Sequence, residues 1–302
     1  MRICSLLPSA TEIAYAIGLG DSIVGVSHEC DFPADAATKP SLLRPRIDPG
    51  APPAEIDRQV SEIIARGESI YAVDAELLDS LAPDLILTQD LCHVCAASPD
   101  DLATALSRFR KAPEVLSLTP RSLPEVWDDV RRVGAATGRK QDADSLAAAL
   151  AERVQSIAQR AASARSRPRV LCLEWLDPHY VGGHWVPEMV ELAGGRDVLG
   201  RRREPSLRVT AEQIMESQPE VIVVMPCGYD VKRAAAEFSR NLLPFGYEAL
   251  PAVRDGKVFV VNANAYFSRP GPRLADGVAL LAHLIHLNLF PGGLPPESFQ
   301  AA

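Results

Sequence analysis

The sequence predicts an α/β protein of two similar lobes joined by one long helix. The stretch from Gln141 to Arg167 has no Gly or Pro and is dense in Ala, Leu, Gln, Glu and Arg, which reads as a single helix. Asp142 and Asp144 stand at the end where the helix macrodipole favours acids, and Arg160, Arg165 and Arg167 at the end where it favours bases. Leu146, Leu150, Val154, Ile157 and Ala161 recur at spacings of three and four, so the helix carries a narrow apolar stripe and packs along one side. At 1.5 Å per residue it spans roughly 35–40 Å, enough for a strut between lobes.

The flanking sequence contains the same unit twice. Residues 73–88, VDAELLDSLAPDLILT, align without a gap on residues 209–224, VTAEQIMESQPEVIVV, sharing Val73/Val209, Ala75/Ala211, Glu76/Glu212, Pro83/Pro219 and Ile86/Ile222. Each copy reads as a capped helix, a turn and a buried strand. Thr210 with Gln213 makes a capping box, Asp74 is the matching cap, and the apolar run after each Pro has the length of a covered strand. A second, weaker echo pairs AIGLGDSIVG at 16–25 with LAGGRDVLG at 192–200. Two echoes in the same order indicate duplicated lobes. The boundaries expected are 1–140, 141–167 for the bridging helix, and 168–302.

Composition narrows the function. With 302 residues, 47% hydrophobic and 23% charged, the chain has core enough for two domains. A formal charge of −8 and the lack of a dense Lys/Arg block argue against nucleic acid as a partner. Arg201 to Arg203 reads as a solvated loop. No apolar run reaches the 18 or so residues of a membrane span. Met1-Arg2 leads straight into a short apolar run and Pro8, without a signal-peptide pattern, so the expectation from the chain as written is cytoplasmic. In that setting the six cysteines read as free thiols or metal ligands.

Taken in order, Arg2–Leu7 is a strand, Pro8 opens a helix that Gly18 ends, and Ile23–Ser27 is a second strand running into His28-Glu29-Cys30. Residues 33–54 read as an extended connection, 56–65 as a helix and 69–73 as a short strand. The first repeat unit then empties into Gln89-Asp90-Leu91-Cys92-His93-Val94-Cys95. A helix opens at Ser98-Pro99, Val115–Leu118 is a strand, and Leu123–Ala136 a helix. The second lobe starts with a strand at Arg169–Leu173 that runs into Glu174-Trp175, and Val186-Pro187 begins a helix. After the second repeat, Val221–Met225 leads to Cys227 and Tyr229; Lys257–Asn262 is the last clear strand, Asn264–Arg269 a loop, and Pro272 starts a helix.

Three segments, PSATEIAYAIGLGDSIVGVS at the start, LAPDLILTQ in the middle and LPAVRDGKVFVVNANAYFSRPGPRLADGVALLAHLI at the end, resemble class III substrate-binding proteins of ABC importers, especially the vitamin B12-binding branch. The resemblance covers nearly the whole chain. It implies two Rossmann-like lobes with mostly parallel sheets, one rigid backbone helix, and a metal chelate (corrinoid, siderophore or haem) or a bare metal in the inter-lobe cleft. It also implies an ABC importer permease as partner, and a periplasmic or cell-surface location if the start is misassigned. Such relatives carry a signal sequence or a lipid-anchor cysteine, and their clefts are seldom this rich in Cys and His.

In α/β folds, ligands sit where strands end. That rule puts His28, Glu29, Cys30, Cys92, His93 and Cys95 of the first lobe, and Glu174, Trp175, His184, Trp185, Cys227, Tyr229, Tyr266 and Arg269 of the second, among the candidates. Ser9 beside the first helix start is either a cap or an anion contact. The ligand set expected is therefore Ser9, Glu29, Glu174, Trp175, His184, Trp185, Tyr229, Tyr266 and Arg269, whose aromatics suit a flat macrocycle such as cobalamin, with Arg269 meeting its amides or carboxylates. Cys30, Cys92, Cys95 and Cys227 are the alternative, a soft donor set for zinc, iron or an iron–sulfur cluster in a cytoplasmic metalloprotein or enzyme. Cys4 and Cys172 fall inside strands and read as small core residues. The sequence holds no Ser-His-Asp order, HExxH or phosphate loop, which leans toward a non-catalytic binding protein.

Overall fold

The computed structural model describes residues 1–89, 99–106, 109, 112–240, 246–292, 295 and 297–302. They form two compact units: Met1–Pro120 with Val126–Ala148, and Arg121–Glu125 with Ala149–Ala302.

The N-terminal unit begins β1 (Ile3–Ser5), α1 (Pro8–Ala16), β2 (Ile23–Val26), β3 (Leu43–Pro45), α2 (Pro53–Ala65) and β4 (Tyr71–Val73). It continues with α3 (Ala75–Leu81), β5 (Leu85–Thr88), α4 (Pro99–Leu106), β6 (Glu114–Ser117), α5 (Leu123–Ala136) and the first part of α6 (Lys140–Ala161). A parallel sheet in the order β2-β1-β5-β6 is its centre. β1 and β5 are buried along their whole length, as parallel strands with helices on both faces must be.

The C-terminal unit contains β7 (Arg169–Leu176), β8 (His179–Val181), α7 (Val186–Leu192), β9 (Arg196–Asp197), β10 (Leu207–Arg208), α8 (Ala211–Ser217) and β11 (Val221–Val224). α9 (Val231–Arg240), α10 (Pro251–Arg254), β12 (Val258–Val261), α11 (Ala263–Tyr266), α12 (Leu274–Ile285) and β13 (Phe299–Ala301) complete it. Its sheet runs β10-β8-β7-β11-β12-β13, with β9 also on β7. β7, β9, β11 and β12 are parallel, while β8, β10 and β13 are antiparallel additions. The fold is thus the one expected: two α/β lobes with mostly parallel sheets and one long connecting helix.

The internal repeat is visible in the backbone. α3 and β5 correspond to α8 and β11 at the same offset as the aligned sequence, Asp74 accepts the Leu77 N–H, and Thr210 with Gln213 closes a capping box. Both helices end on a non-glycine residue in the left-handed region, Ala82 at φ 43° and Gln218 at φ 44°. The weaker echo also holds: Gly18 and Gly194 both have positive φ, and the strands after them, β2 and β9, pair in parallel with β1 and β7.

α6 is one unbroken helix from one unit into the other. Its buried positions are Ala143, Ala147, Leu150, Val154 and Ala161, with Leu146 and Ile157 half-buried, so it packs on one side. It stops at Ala161, six residues short of the expected end. Ser163 and Ala164 donate to Arg160 and Ala161 in tighter turns, and Pro168 disfavours helix for the residue before it.

Three further expectations are corrected. The 33–54 connection contains a 3-10 turn at Ala34–Thr38 and β3, which pairs antiparallel with β4. Val258–Val261 is followed by β13, which covers the edge of β12. The loop after it begins as the short helix α11, with the Asn262 side chain accepting the Ala265 N–H.

α5 and α6 meet closely at Gly134, where an added Cβ would lie 2.2 Å from that of Ala143 and 2.9 Å from the Arg139 carbonyl oxygen. Gly134→Ala should therefore force the two helices apart and lower stability by about 1–3 kcal/mol, the usual cost of overpacking. Urea unfolding of the variant measures this, and an unchanged midpoint would show that the helix pair yields freely.

Candidate functional site

In the N-terminal unit the ends of β1 and β2 bring α1 and the His28–Cys30 turn together. Pro8 opens α1, Ser9 behind it is buried, and Thr11 Oγ1 donates to the Leu7 carbonyl at 3.2 Å. The same hydroxyl lies 3.1 Å from Cys30 Sγ; with its own proton given to Leu7, it receives that of the thiol. Cys30 is 3% exposed, so its sulfur is buried against the Thr11 hydroxyl. His28 stacks obliquely on Tyr71 at 5.3 Å, with Nε2 3.9 Å from Glu29 Oε1. Burial draws its imidazole below the ordinary histidine value, and the Glu29 carboxylate opposes that shift in part.

The C-terminal unit carries the denser arrangement. β7 pairs with β8 through Leu173↔Val181 and then Trp175↔Tyr180, which leaves Glu174 as the extra residue of a bulge. Bulges re-aim side chains at sheet ends. Here the Glu174 carboxylate accepts from Ser206 Oγ and from the Gly183 N–H, while the backbone carbonyl takes the Cys227 N–H at 3.2 Å. Burial raises the Glu174 pKa, and the two hydrogen bonds work against that rise.

Trp175 is half-buried and meets the Tyr229 ring edge-on, centroids 5.5 Å apart at 69°. On the same ring the Arg233 guanidinium lies 3.8 Å from the centroid, a cation–π contact supplied by the first turn of α9. Tyr229 is 2% exposed, and its buried hydroxyl lies beside the Arg233 side chain. Its pKa is raised, by burial first, with Arg233 opposing.

The remaining expected residues are placed differently. Trp185 is 5% exposed and its Nε1 donates to the Phe267 carbonyl at 2.8 Å, so it anchors α7 to the segment after α11. His184 adopts φ 51° and pairs with the 203–204 backbone, donating from its amide to Glu204 and accepting from the Arg203 N–H. Its imidazole is pulled below the usual value by burial and then by Arg121. Tyr266 accepts from Ser298 Oγ at 3.2 Å, and Arg269 is half-buried.

Of the four cysteines, Cys92 and Cys95 lie outside the described residues, Cys30 belongs to the N-terminal unit and Cys227 to the C-terminal one. Among the described residues no three His, Cys, Asp or Glu side chains gather to hold a metal ion. Cys4 and Cys172 are buried strand residues as expected, and burial pushes the Cys4 thiol up to about 12.

The pattern of the family described as periplasmic binding protein matches residues 3–265. The chain belongs to that family. The vitamin B12-binding protein of Vibrio cholerae is 26% identical over 281 residues, covering 92% of this chain and 86% of the relative. An uncharacterized ABC transporter substrate-binding lipoprotein of Bacillus subtilis, YvrC, is 26% identical and covers 96% and 81%. Among solved structures, the apo periplasmic heme-binding protein RhuT of Roseiflexus sp. RS-1 superposes with a TM-score of 0.72 at 22% identity, covering 95% and 98%. The periplasmic vitamin B12-binding protein BtuF of Vibrio cholerae gives 0.65 at 24%, covering 95% and 96%.

Arg233, Ser206 and Arg121, which sequence reading did not single out, stand beside the expected residues Tyr229, Glu174 and His184. Arg233 had one readable signal, its place four residues after Tyr229 at a helix start; Ser206 and Arg121 had none. Asp197 lies beneath the same loops. Its Oδ1 accepts the Leu199 and Gly200 N–H groups at 3.1 and 2.6 Å, Oδ2 is buried without a partner among the described residues, and burial raises the pKa to about 6. The folded chain therefore holds this proton more tightly than the unfolded one, and stability falls as pH rises from about 4 to about 6. Asp197→Asn, which keeps the Oδ1 acceptor, should gain about 1–3 kcal/mol over the wild type at pH 8 and little at pH 4. Urea unfolding at the two pH values checks this; a loss at pH 8 would show that the charged form is needed.

Proposed function

We propose that this chain is a non-catalytic substrate-binding component of an ABC importer and that its ligand is cobalamin or a closely similar metal chelate such as haem. The observation that carries the reading is the end of β7, where half-buried Trp175 packs on the buried Tyr229 ring and the Arg233 guanidinium covers that ring. A flat, partly apolar macrocycle stacks on an indole such as that of Trp175, and its amides or carboxylates suit the neighbouring cation. Names of relatives support the same chemistry, since they include vitamin B12-binding and heme-binding proteins. Tyr266 and Arg269, after β12 in the same unit, are further proposed contacts. Trp185 supports the site from within the core.

Periplasmic and lipoprotein relatives favour the periplasm or cell surface over the cytoplasmic expectation, with an importer permease as partner. The cysteine reading finds no comparable support, because the described thiols do not assemble with other donors.

Calorimetric titration with cyanocobalamin and with haemin tests the proposal. One of them should bind, and Trp175→Ala should weaken it by about 1–3 kcal/mol, the range for a buried aromatic anchor. Failure of both to bind the wild type, or full affinity in the variant, would overturn the reading.

A further inference from the structure

The basic run Arg201–Arg203, expected as a solvated loop, is paired at every position: Arg201 with Glu204, Arg202 with Glu191 of α7, and Arg203 with Glu125. Arg203 Nη1 also donates to Ser122 Oγ at 3.3 Å. Ser122-Leu123-Pro124-Glu125 opens α5, with Glu125 Oε2 accepting the Arg121 N–H at 2.6 Å and the Glu188 carboxylate of α7 accepting the Leu123 N–H at 3.0 Å. This start of α5 is counted with the C-terminal unit, so the chain enters that unit here as well as along α6.

The other side of the same loop touches the site. Arg203 N–H donates to the His184 carbonyl at 2.9 Å, and the His184 N–H to the Glu204 carbonyl at 2.6 Å. Both His184 and Arg203 have positive φ, 51° and 64°, which brings their backbones face to face. Gly183 lies directly under the loop, since an added Cβ would sit 2.5 Å from the Glu204 oxygen and 2.6 Å from the Ser206 nitrogen. Ser206 then holds the Glu174 carboxylate.

We propose that Arg203 is a positioning residue: its loop is a clasp that couples the start of α5 to the Gly182–Glu188 segment, and through Ser206 to Glu174. Its value for ligand binding rests on the function proposed above, but the coupling does not. Arg203 is 60% exposed and Glu125 34%, so the pair is screened and the effect of breaking it is modest.

Hydrogen–deuterium exchange on the full chain reads the coupling without ligand. Arg203→Ala and Glu125→Gln should each speed exchange at 121–126 and at 182–188 together, by roughly two- to fivefold, and Arg203→Lys should recover part of the protection. Faster exchange at 121–126 alone, or at neither segment, would overturn the clasp. Glu125→Gln keeps an acceptor for the Arg121 N–H, so it reads the pair even if Arg203→Ala unfolds. In titrations with cyanocobalamin and haemin, Arg203→Ala should weaken whichever the wild type binds by the same factor. Coupled exchange with unaltered affinity would overturn the positioning role. Coupled exchange in a wild type that binds neither would sink the proposed ligand and leave the clasp standing.

Discussion

The parallel pairing of β7 with β11 is the constraint on which the C-terminal unit depends. Val170 to Leu173 run beside Val221 to Val224, and every one of these residues is buried. Parallel neighbours cannot be joined by a tight turn, so the chain must cross over and return, leaving both carboxyl ends at the same edge. Glu174 and Cys227 meet there through a backbone hydrogen bond. The N-terminal unit repeats the scheme with β1 and β5, whose ends deliver the Leu6–Ser9 and Thr88–Gln89 segments.

What the two edges carry differs. In the first unit the thiol of Cys30 is absorbed by Thr11 and the polar groups at the α1 start are buried. In the second, one bulge turns Glu174 toward Ser206 and Gly183, and the next strand end presents an aromatic pair topped by a guanidinium. The acid there is engaged by its own loops, which makes it a junction of the scaffold. Of the aromatic pair, Tyr229 is buried and Trp175 half-buried, so Trp175 is where the proposed ligand would stack.

Much of this was legible in the chain because it is encoded locally. Helix α6, the caps at Asp74 and Thr210, and the apolar runs of β5 and β11 each follow from neighbours a few residues apart. β3, β8, β9, β10 and β13 are two or three residues long, too short to show a period, and exist only because a partner strand is already in place. The site was half legible for the same reason. Strand ends named Glu174, Trp175 and Tyr229, but Arg203 finds Glu125 across 78 positions and Trp185 finds Phe267 across 82. No pattern in sequence announces such partners, so a core tryptophan and a half-buried one at a strand end look alike until the fold is known.

The three tryptophans end in unlike surroundings. Trp127 and Trp185 are each 5% exposed, whereas Trp175 is half-buried against the Tyr229 ring. A water-borne collisional quencher therefore reaches one indole long before the other two, and the emission it removes comes from the end of β7. The molecule carries its own optical reporter at the place where a ligand is proposed to sit, without any label having to be introduced.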